Sequence, residues 1–268
     1  MSKTDFTNKV IWITGSSSGI GEACAYEFAR KGARLILTAL EADILENVKT
    51  NALHYGAKDV CVLPFDLSQK EGLPQLAQNA LESFGSIDVF YNNAGISQRA
   101  STVDTEMRVF NKVMDINFFA PVILTKAILP SMLAQGGGQL VITTSISGRV
   151  GFPLRSAYCS SKHALYGFFE TIQAEYYKDN IRVSIVCPGR VQTNISVHAL
   201  EKDGKAHGVL DAGQKDAISP QKAAIKIVRA IAHKKREVLI GRKELLMVYF
   251  KRFVPGLCAR LARGIKSM

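Results

Sequence analysis

Tyr158 and Lys162 have residue types and a spacing that could move a proton. The pattern that runs through them predicts a helix, and residues four apart on a helix lie on one face. Tyrosine has a pKa of about 10 and is a poor base at neutral pH, but a nearby ammonium favours the phenolate and lowers that pKa. The pair therefore predicts a general acid/base. Ser145 ends the preceding strand pattern and is predicted to hydrogen-bond a substrate oxygen at the same place.

The same spacing also fits an ordinary helix in which the tyrosine is half-buried and the lysine is solvated. The proton-transfer interpretation needs a cofactor site upstream, so the glycines near the N-terminus decide between the two. A strand pattern at residues 9–14 leads into T-G-S-S-S-G-I-G and then into a helical pattern closed by Gly32. Strand, glycine-rich turn and helix form the opening of a dinucleotide-binding βαβ unit.

Each glycine of this turn has a separate predicted task. Gly15 permits the tight turn, Gly19 lets backbone N–H groups approach a pyrophosphate, and Gly21 lets the helix lie close to the sheet. The spacing G-x-x-x-G-x-G differs from the general G-x-G-x-x-G fingerprint, so a plain connection stays open as the alternative. Where an acid that holds the ribose of NAD is expected, the chain has Ala39 and Leu40. The choice of cofactor is therefore poorly specified.

Strand and helix patterns alternate along the rest of the chain. They predict an α/β fold with one doubly wound parallel sheet of about seven strands and helices on both faces. N-N-A-G at 92–95 suits a backbone that lies against a flat ring, although such residues also form ordinary turns. Residues 103–134 read as helix, with Pro121 and Pro130 predicted to kink or break it. The polar connection at 194–218 is predicted to be a lid or binding loop.

The composition is that of a globular protein with one substantial core. The chain has 268 residues, of which 47% are hydrophobic and 21% charged. We find neither a signal-peptide h-region nor an apolar run long enough to cross a membrane. The five cysteines are scattered without a C-x-x-C pair, so no metal site is expected and a reducing cytoplasm is the expected location. Residues 234–268 contain ten Lys/Arg and two Asp/Glu, so much of the net charge of +11 belongs to the C-terminal tail.

Six motifs in order over about residues 8–240 resemble the classical short-chain dehydrogenase/reductase family. They are T-G-S-S-S-G-I-G, N-N-A-G, Asn117, Ser145, Y-C-S-S-K from Tyr158, and P-G-R-V-Q-T at 188–193. The resemblance implies a Rossmann-type, NAD(P)-dependent oxidoreductase that acts on the CH-OH group of donors and interconverts a carbonyl and a secondary alcohol. Its small-molecule substrate would be held by Ser145, with Tyr158 as the acid/base.

The resemblance also implies roles for the remaining site residues. Lys162 would bind the nicotinamide ribose and lower the pKa of Tyr158, while Asn117 would anchor a water in a proton relay. The other cofactor contacts are Gly15, Ser17, Gly19 and Ile20 at the pyrophosphate, Asp66 and Leu67 at the adenine, Asn93 at the adjoining ribose, and Val191 and Thr193 at the carboxamide.

The cofactor, the assembly and the domain limits follow from the same resemblance. Although Glu41 follows just beyond, neither Ala39 nor Leu40 supplies a carboxylate that would repel a 2′-phosphate, so NADP(H) is favoured over NAD(H). A homodimer or homotetramer is implied, formed through the helices around Asn117 and Tyr158. Residues 1–241 are predicted to form the dinucleotide-binding and catalytic domain, and residues 242–268 a basic amphipathic tail.

The tail leaves two interpretations open. Residues 245–250 could pack on the sheet with the basic side chains solvated, or the tail could lie on an anionic membrane surface and make the protein membrane-associated. Membrane contact would favour an apolar substrate, as do Phe152, Pro153 and Leu154 beside the active stretch. Because the basic charge is confined to the tail, nucleic-acid binding is not expected. A non-enzymatic dinucleotide sensor or scaffold is the alternative to an enzyme, but it would be expected to lack Tyr158 or Lys162.

Overall fold

The computed structural model describes residues 5–211, 213 and 217–265. The ends of the predicted domain and tail (1–4 and 266–268), and residues 212 and 214–216 of the predicted loop, lie outside it. Seven parallel strands form one sheet in the order β3-β2-β1-β4-β5-β6-β7, which confirms the predicted fold class. The strands are β1 Val10–Thr14, β2 Arg34–Thr38, β3 Asp59–Val62, β4 Val89–Asn92, β5 Gly138–Thr143, β6 Ile181–Pro188 and β7 Glu237–Ile240.

Helices cover both faces of this sheet. They are α1 Gly19–Ala29, α2 Ala42–His54, α3 Leu73–Phe84, α4 Met107–Met114, α5 Ala120–Ala134, α6 Ser156–Glu175, α7 Pro220–Ala232, α8 Leu246–Phe253 and α9 Pro255–Arg263. Successive side chains of a strand point to opposite faces, so Ile11 and Ile13 of β1 join the core layer under α1, α2 and α7. Trp12, between them, joins the layer under α3, α5 and α6. Both faces of the sheet are therefore buried, as continuous apolar strands require.

The strand order reverses between β1 and β4, which are neighbours in the sheet although β2 and β3 lie between them in the sequence. In open parallel sheets, ligands bind outside the carboxyl ends of the strands at such a switch point. The glycine-rich turn after β1, the segment after β4 and Ser145 after β5 all lie at that edge. The topology thus gathers the predicted motifs in one place.

The helical region 103–134 is irregular at the turn that contains Asn117, just before Pro121. A π-helical turn, Asp115–Phe119, joins α4 to α5, and the N–H of Ala120 donates to the carbonyl of Asp115 five residues earlier. Pro121 has no N–H to offer the carbonyl of Asn117, which explains why the helix widens there. Pro130 lies inside α5 without ending it, so the helix does not break at that residue; the alternative of a kink there stays a prediction.

This joined helix, Met107–Ala134, is long and apolar enough to cross a membrane by length and composition, contrary to the expectation from the sequence. Its buried residues Leu124, Ile128, Leu129 and Met132 belong to the core layer that packs on the sheet. A core helix of a globular domain passes the same test of length and composition. The packing therefore accounts for its apolar character without a membrane.

The C-terminal tail packs beside the predicted active stretch and not on the sheet. Met247 of α8 and Cys258 and Ala262 of α9 are buried against Val150, with Phe152 at the margin of the same cluster. Packing of residues 245–250 on the sheet is one of the two interpretations that the sequence leaves open, and the structure instead places Met247 and Phe250 of this stretch in the cluster around Val150. The tail instead forms one wall of the cavity described below.

Candidate active site

The glycine-rich turn has a geometry that other residues could not adopt. Gly15 and Gly19 have φ of +65° and +61°, in the left-handed region that favours glycine. A Cβ on Gly21 would lie 2.1 Å from the carbonyl oxygen of Gly15, so this glycine lets α1 start directly against the turn. A Cβ on Gly19 would lie 3.0 Å from Cγ2 of Thr193, which leaves a narrow gap between two predicted cofactor residues. The turn therefore has the open backbone that a pyrophosphate requires.

Asn93 supports this turn from the neighbouring strand. Its Nδ2 donates to the carbonyl oxygens of Thr14 and Gly15 over 3.2 and 3.0 Å. The hydroxyl of Thr143 lies 3.2 Å from Oδ1 of Asn93. These hydrogen bonds connect the ends of β1, β4 and β5, so the amide of Asn93 positions the cofactor turn whether or not it also contacts a ribose.

The other predicted cofactor residues fall into two groups. Ile20, Val191 and Thr193 line one cavity together with Ser145 and Tyr158. Ser17 lies in the glycine turn, half-buried. Asp66 and Leu67 follow β3 at some remove from that cavity.

One carboxylate oxygen of Asp66 already accepts hydrogen bonds from a neighbouring residue. Its Oδ1 accepts hydrogen bonds from the backbone N–H and the hydroxyl of Ser68 over 2.9 and 2.8 Å. Leu67 beside it is buried in the core layer. Asp66 and Leu67 lie at the carboxyl edge of the sheet, next to the turn after β2. This position suits the adenine end of an extended ligand, and the assignment stays a prediction.

Ser145 and Tyr158 both line the cavity. Ser145 precedes a single turn of 3-10 helix, Ile146–Gly148, and its Oγ accepts a 3.1 Å hydrogen bond from the N–H of Ser147. Burial raises the pKa of Tyr158, while a hydrogen bond with Ser145 and the charges of Arg155 and Arg99 act to lower it. The net direction is upward, opposite to the sequence expectation, because the phenol is 7% exposed and loses its hydration.

Lys162 lies on the face of α6 that it shares with Tyr158. Its Nζ is 5.9 Å from the centre of the Tyr158 ring and donates a 2.8 Å hydrogen bond to the carbonyl oxygen of Thr143. Burial lowers the pKa of Lys162 to about 7, so near neutral pH this amine is divided between its charged and neutral forms. Lys162 can therefore accept or return a proton close to the phenol under physiological conditions.

Asn117 joins this group through the π-helical turn. Its Oδ1 accepts from the N–H of Ile96 over 2.8 Å, and its Nδ2 donates to the carbonyl of Ile96 and to Oγ of Ser161 over 2.9 and 3.0 Å. A Cβ atom added to Gly95 would lie 3.2 Å from Oδ1 of Asn117 and 3.2 Å from Nζ of Lys162. A side chain at position 95 would therefore require Asn117 or Lys162 to shift by a few tenths of an ångström.

The structure also reveals site residues that sequence reasoning missed. Gly95 belongs to the N-N-A-G motif, but nothing in the sequence indicated that it lies beside Lys162. Nothing in the sequence indicated either that the carbonyl oxygen of Thr143 accepts a hydrogen bond from Lys162. Arg99, Arg155 and Asp211 form a buried ion-paired group in the wall of the cavity, and they come from three distant segments. Within the described part of the chain, no group of three or more His, Cys, Asp or Glu side chains could hold a metal ion.

The chain is similar in sequence to a known protein family and to individual proteins. The sequence profile of a family described as short chain dehydrogenase matches residues 9–204. Dehydrogenase/reductase SDR family member 7B of Bos taurus is 39% identical over 260 residues, which cover 95% of this chain and 80% of that protein.

Solved structures show the same architecture. An alcohol dehydrogenase from the archaeon Thermococcus sibiricus, complexed with 5-hydroxy-NADP, superposes with a TM-score of 0.75 at 27% identity, covering 88% of this chain and 97% of that one. A short chain dehydrogenase/reductase from Burkholderia phymatum in complex with NAD has a TM-score of 0.81 at 23% identity and covers 98% of both chains. The second likeness concerns the fold alone.

Proposed function

This chain belongs to the short-chain dehydrogenase family and is an oxidoreductase of that family, and we propose that it interconverts a carbonyl and a secondary alcohol with Tyr158 as the acid/base. The observation that carries the proposal is the buried group in which Tyr158 lines one cavity with Ser145 and lies beside Lys162. Nucleophile, metal and cysteine chemistry are not needed by this arrangement. A hydroxyl, a phenol and a titrating amine suit the transfer of one proton.

The residues present fit a nicotinamide dinucleotide. The left-handed glycines of the turn, and the gap between Gly19 and Thr193, form a cradle that a side chain would fill. When bound, such a cofactor supplies or accepts the hydride. Its pyrophosphate would be held by the turn from Gly15 to Ile20, its nicotinamide end by Val191 and Thr193 beside Tyr158, and its ribose by Lys162.

The protein's own contribution is proton transfer and charge stabilisation. In the reductive direction, the Tyr158 hydroxyl gives its proton to the substrate oxygen as the carbonyl becomes an alcohol. Ser145 stabilises the negative charge that develops on that oxygen. Lys162, whose pKa is lowered to about 7, returns a proton toward the phenolate, and Asn117 would anchor a relay water beside it. In the oxidative direction the same groups act in reverse.

NADP(H) is favoured over NAD(H) as the cofactor. Leu40 is 62% exposed after β2, and neither it nor Ala39 presents a carboxylate that would repel a 2′-phosphate. The related Thermococcus sibiricus enzyme was solved with an NADP derivative, which supports the same choice. The glycine-rich turn has no arginine that would select for a 2′-phosphate, so it is also compatible with NAD(H).

An apolar substrate is supported by apolar side chains in the lining of the cavity. Phe152 from the loop after β5, Met247 from α8 and Ile265 after α9 are among the residues that line it. The tail thus contributes part of the substrate pocket, which explains why it packs beside Val150 instead of on the sheet.

The outer face of the same tail supports contact with an anionic membrane surface. Tyr249 and Phe253 are 52% and 75% exposed, and Lys251 and Arg252 lie between them. Apolar side chains interleaved with cations suit acidic lipid headgroups. Co-sedimentation with vesicles of phosphatidylserine, but not of phosphatidylcholine, tests this contact; equal partitioning to both would argue against it. A cytoplasmic location and a homodimer or homotetramer stay predictions, the second open to light scattering.

The proposed reaction is tested by following nicotinamide absorbance. Purified protein with NADPH or NADH is supplied with apolar ketones and aldehydes, and with NADP⁺ or NAD⁺ it is supplied with secondary alcohols. Cofactor-linked turnover of one of these pairs supports the proposal. Cofactor binding without turnover of any pair would favour the sensor or scaffold alternative.

A further inference from the structure

Two arginines share one carboxylate in the wall of the active-site cavity. Nη2 of Arg99 and Nη2 of Arg155 lie 2.7 and 2.9 Å from Oδ2 of Asp211. All three side chains are largely buried, with 4%, 22% and 15% of their surfaces exposed. They line the same cavity of ≈ 170 Å³ as Ser145 and Tyr158.

The two arginines are not equivalent. Arg99 holds Asp211 with a second hydrogen bond from Nε over 3.3 Å, and its Nη1 donates to Oγ of Ser97 and to the carbonyl of Gln98. Arg155 has one hydrogen bond, from Nη2 to Asp211, and its buried Nε has no partner among the residues the structure describes. Unpaired buried donors are costly, so Arg155 is the less fully hydrogen-bonded of the two arginines and the one whose guanidinium would gain most from a further acceptor.

The charges of the cavity wall do not balance. Arg190 and Glu244 also line it and offset each other, which leaves Arg99 and Arg155 against Asp211 and a surplus of one positive charge within the described residues. That charge reaches the reacting centre, since Arg155 and Arg99 both lower the pKa of Tyr158 against the effect of its burial. A buried cation without a full counter-charge is stabilised by an anionic ligand.

Taking the proposed function as its basis, we propose that the substrate carries an anionic oxyacid group close to the reacting carbon and that Arg155 binds this group. The oxyacid group is a carboxylate or a phosphate. Arg155 immediately precedes α6, lies three residues before Tyr158 and lines the same cavity as Phe152. Phe152, Met247 and Ile265 would accept the apolar remainder of the molecule. The substrate class is therefore an acidic amphiphile with a ketone or secondary alcohol beside its head group. Arg99 is a positioning residue that fixes Asp211 and, through it, Arg155.

Matched ketones test this assignment. We would compare 2-oxodecanoate, its methyl ester, 2-oxodecyl phosphate and 2-decanone as substrates of the wild type, Arg155→Gln and Arg155→Lys. The wild type is expected to prefer the anionic probes, and Arg155→Gln is expected to lower the ratio of anionic to neutral kcat/KM by about 10- to 100-fold. Arg155→Lys keeps the charge without the fork and should restore part of that ratio. The better of acid and phosphate identifies the head group.

Binding provides a second readout. Titration of the anionic probes into protein saturated with oxidised cofactor should show affinity that Arg155→Gln removes and that Arg182→Gln, the same charge change outside the cavity wall, retains. An unchanged anionic-to-neutral ratio, equal losses on all probes, or a loss of cofactor affinity alone would overturn the inference while leaving the proposed reaction in place. Failure of the wild type to bind either cofactor would instead defeat the proposed function itself.

Discussion

The side-chain nitrogen of Lys162 donates a 2.8 Å hydrogen bond to the main-chain oxygen of Thr143. This contact fastens the middle of the α6 face to the end of β5, two residues before Ser145. Because Ser145 follows β5 and Tyr158 lies one turn before Lys162, one hydrogen bond fixes the substrate hydroxyl and the acid/base relative to each other. Lys162 thus has a structural task in addition to its proposed part in proton transfer.

Replacing Lys162 should change how stability depends on pH. Lysine in the unfolded chain titrates at about 10.4, whereas burial lowers the folded pKa of Lys162 to about 7. Between these two pKa values the unfolded chain binds more protons than the folded protein, so the free energy of unfolding should increase as the pH rises. Below pH 7 the amine is charged in both states, and burying that charge destabilises the fold by its full amount. Lys162→Met removes that dependence.

The measurement is urea unfolding of the cofactor-free wild type and Lys162→Met at several pH values from 6.5 to 9. From about pH 7 to 9 the stability of the wild type relative to the variant should rise by about 2 kcal/mol. Taking the difference cancels the other titrating groups. Parallel profiles would mean that the amine is not buried as described.

Adding one methyl group at Gly95 should disturb the catalytic group. The new Cβ would lie 3.2 Å from Nζ of Lys162 and from Oδ1 of Asn117, closer than ordinary packing allows. We expect Gly95→Ala to lower kcat about tenfold or more through this displacement, since small misplacements at a reacting centre are costly. The same side chain addition in the middle of α6, Gly167→Ala, meets nothing within 4 Å and serves as control.

Gly167→Ala should keep wild-type kcat and stabilise the protein by about 0.5–1 kcal/mol, because alanine is the better helix former. Steady-state kinetics and thermal unfolding of both variants check the pair. If Gly95→Ala kept full activity, the gap between Lys162 and Asn117 would have no functional importance.

The cofactor preference should respond to charge at position 40. An arginine in place of the exposed Leu40 could contact a 2′-phosphate, so Leu40→Arg is expected to tighten NADPH binding about two- to fivefold and to leave NADH binding unchanged. Ile44→Arg, the same change one turn into α2, is the control for charge alone. Fluorescence titration with both cofactors measures the effect. An equal gain for NADPH and NADH would show that position 40 does not face the 2′ oxygen.

Local pattern was enough to predict the sheet and the order of the motifs. Apolar strands followed by glycine or asparagine turns carry their signal in adjacent residues, so seven strands and the carboxyl-edge location of Ser145 could be read directly. The Arg99–Asp211–Arg155 group could not, because Asp211 lies 112 and 56 residues from its partners and loop conformation brings them together. The direction of the Tyr158 pKa was also out of reach, since it depends on how completely α6 and the tail exclude water.

The proposed acid/base is tested most directly by titrating wild type and Tyr158→Phe with NADPH and NADH, and then measuring turnover of the ketone that the wild type reduces best. The variant loses one hydroxyl and keeps the ring, so cofactor affinity should stay within about twofold while kcat falls by about 10²-fold or more. Loss of cofactor binding together with activity would mean that Tyr158 supports the fold of the site. Retention of wild-type kcat in Tyr158→Phe would contradict the account, and another group would have to move the proton.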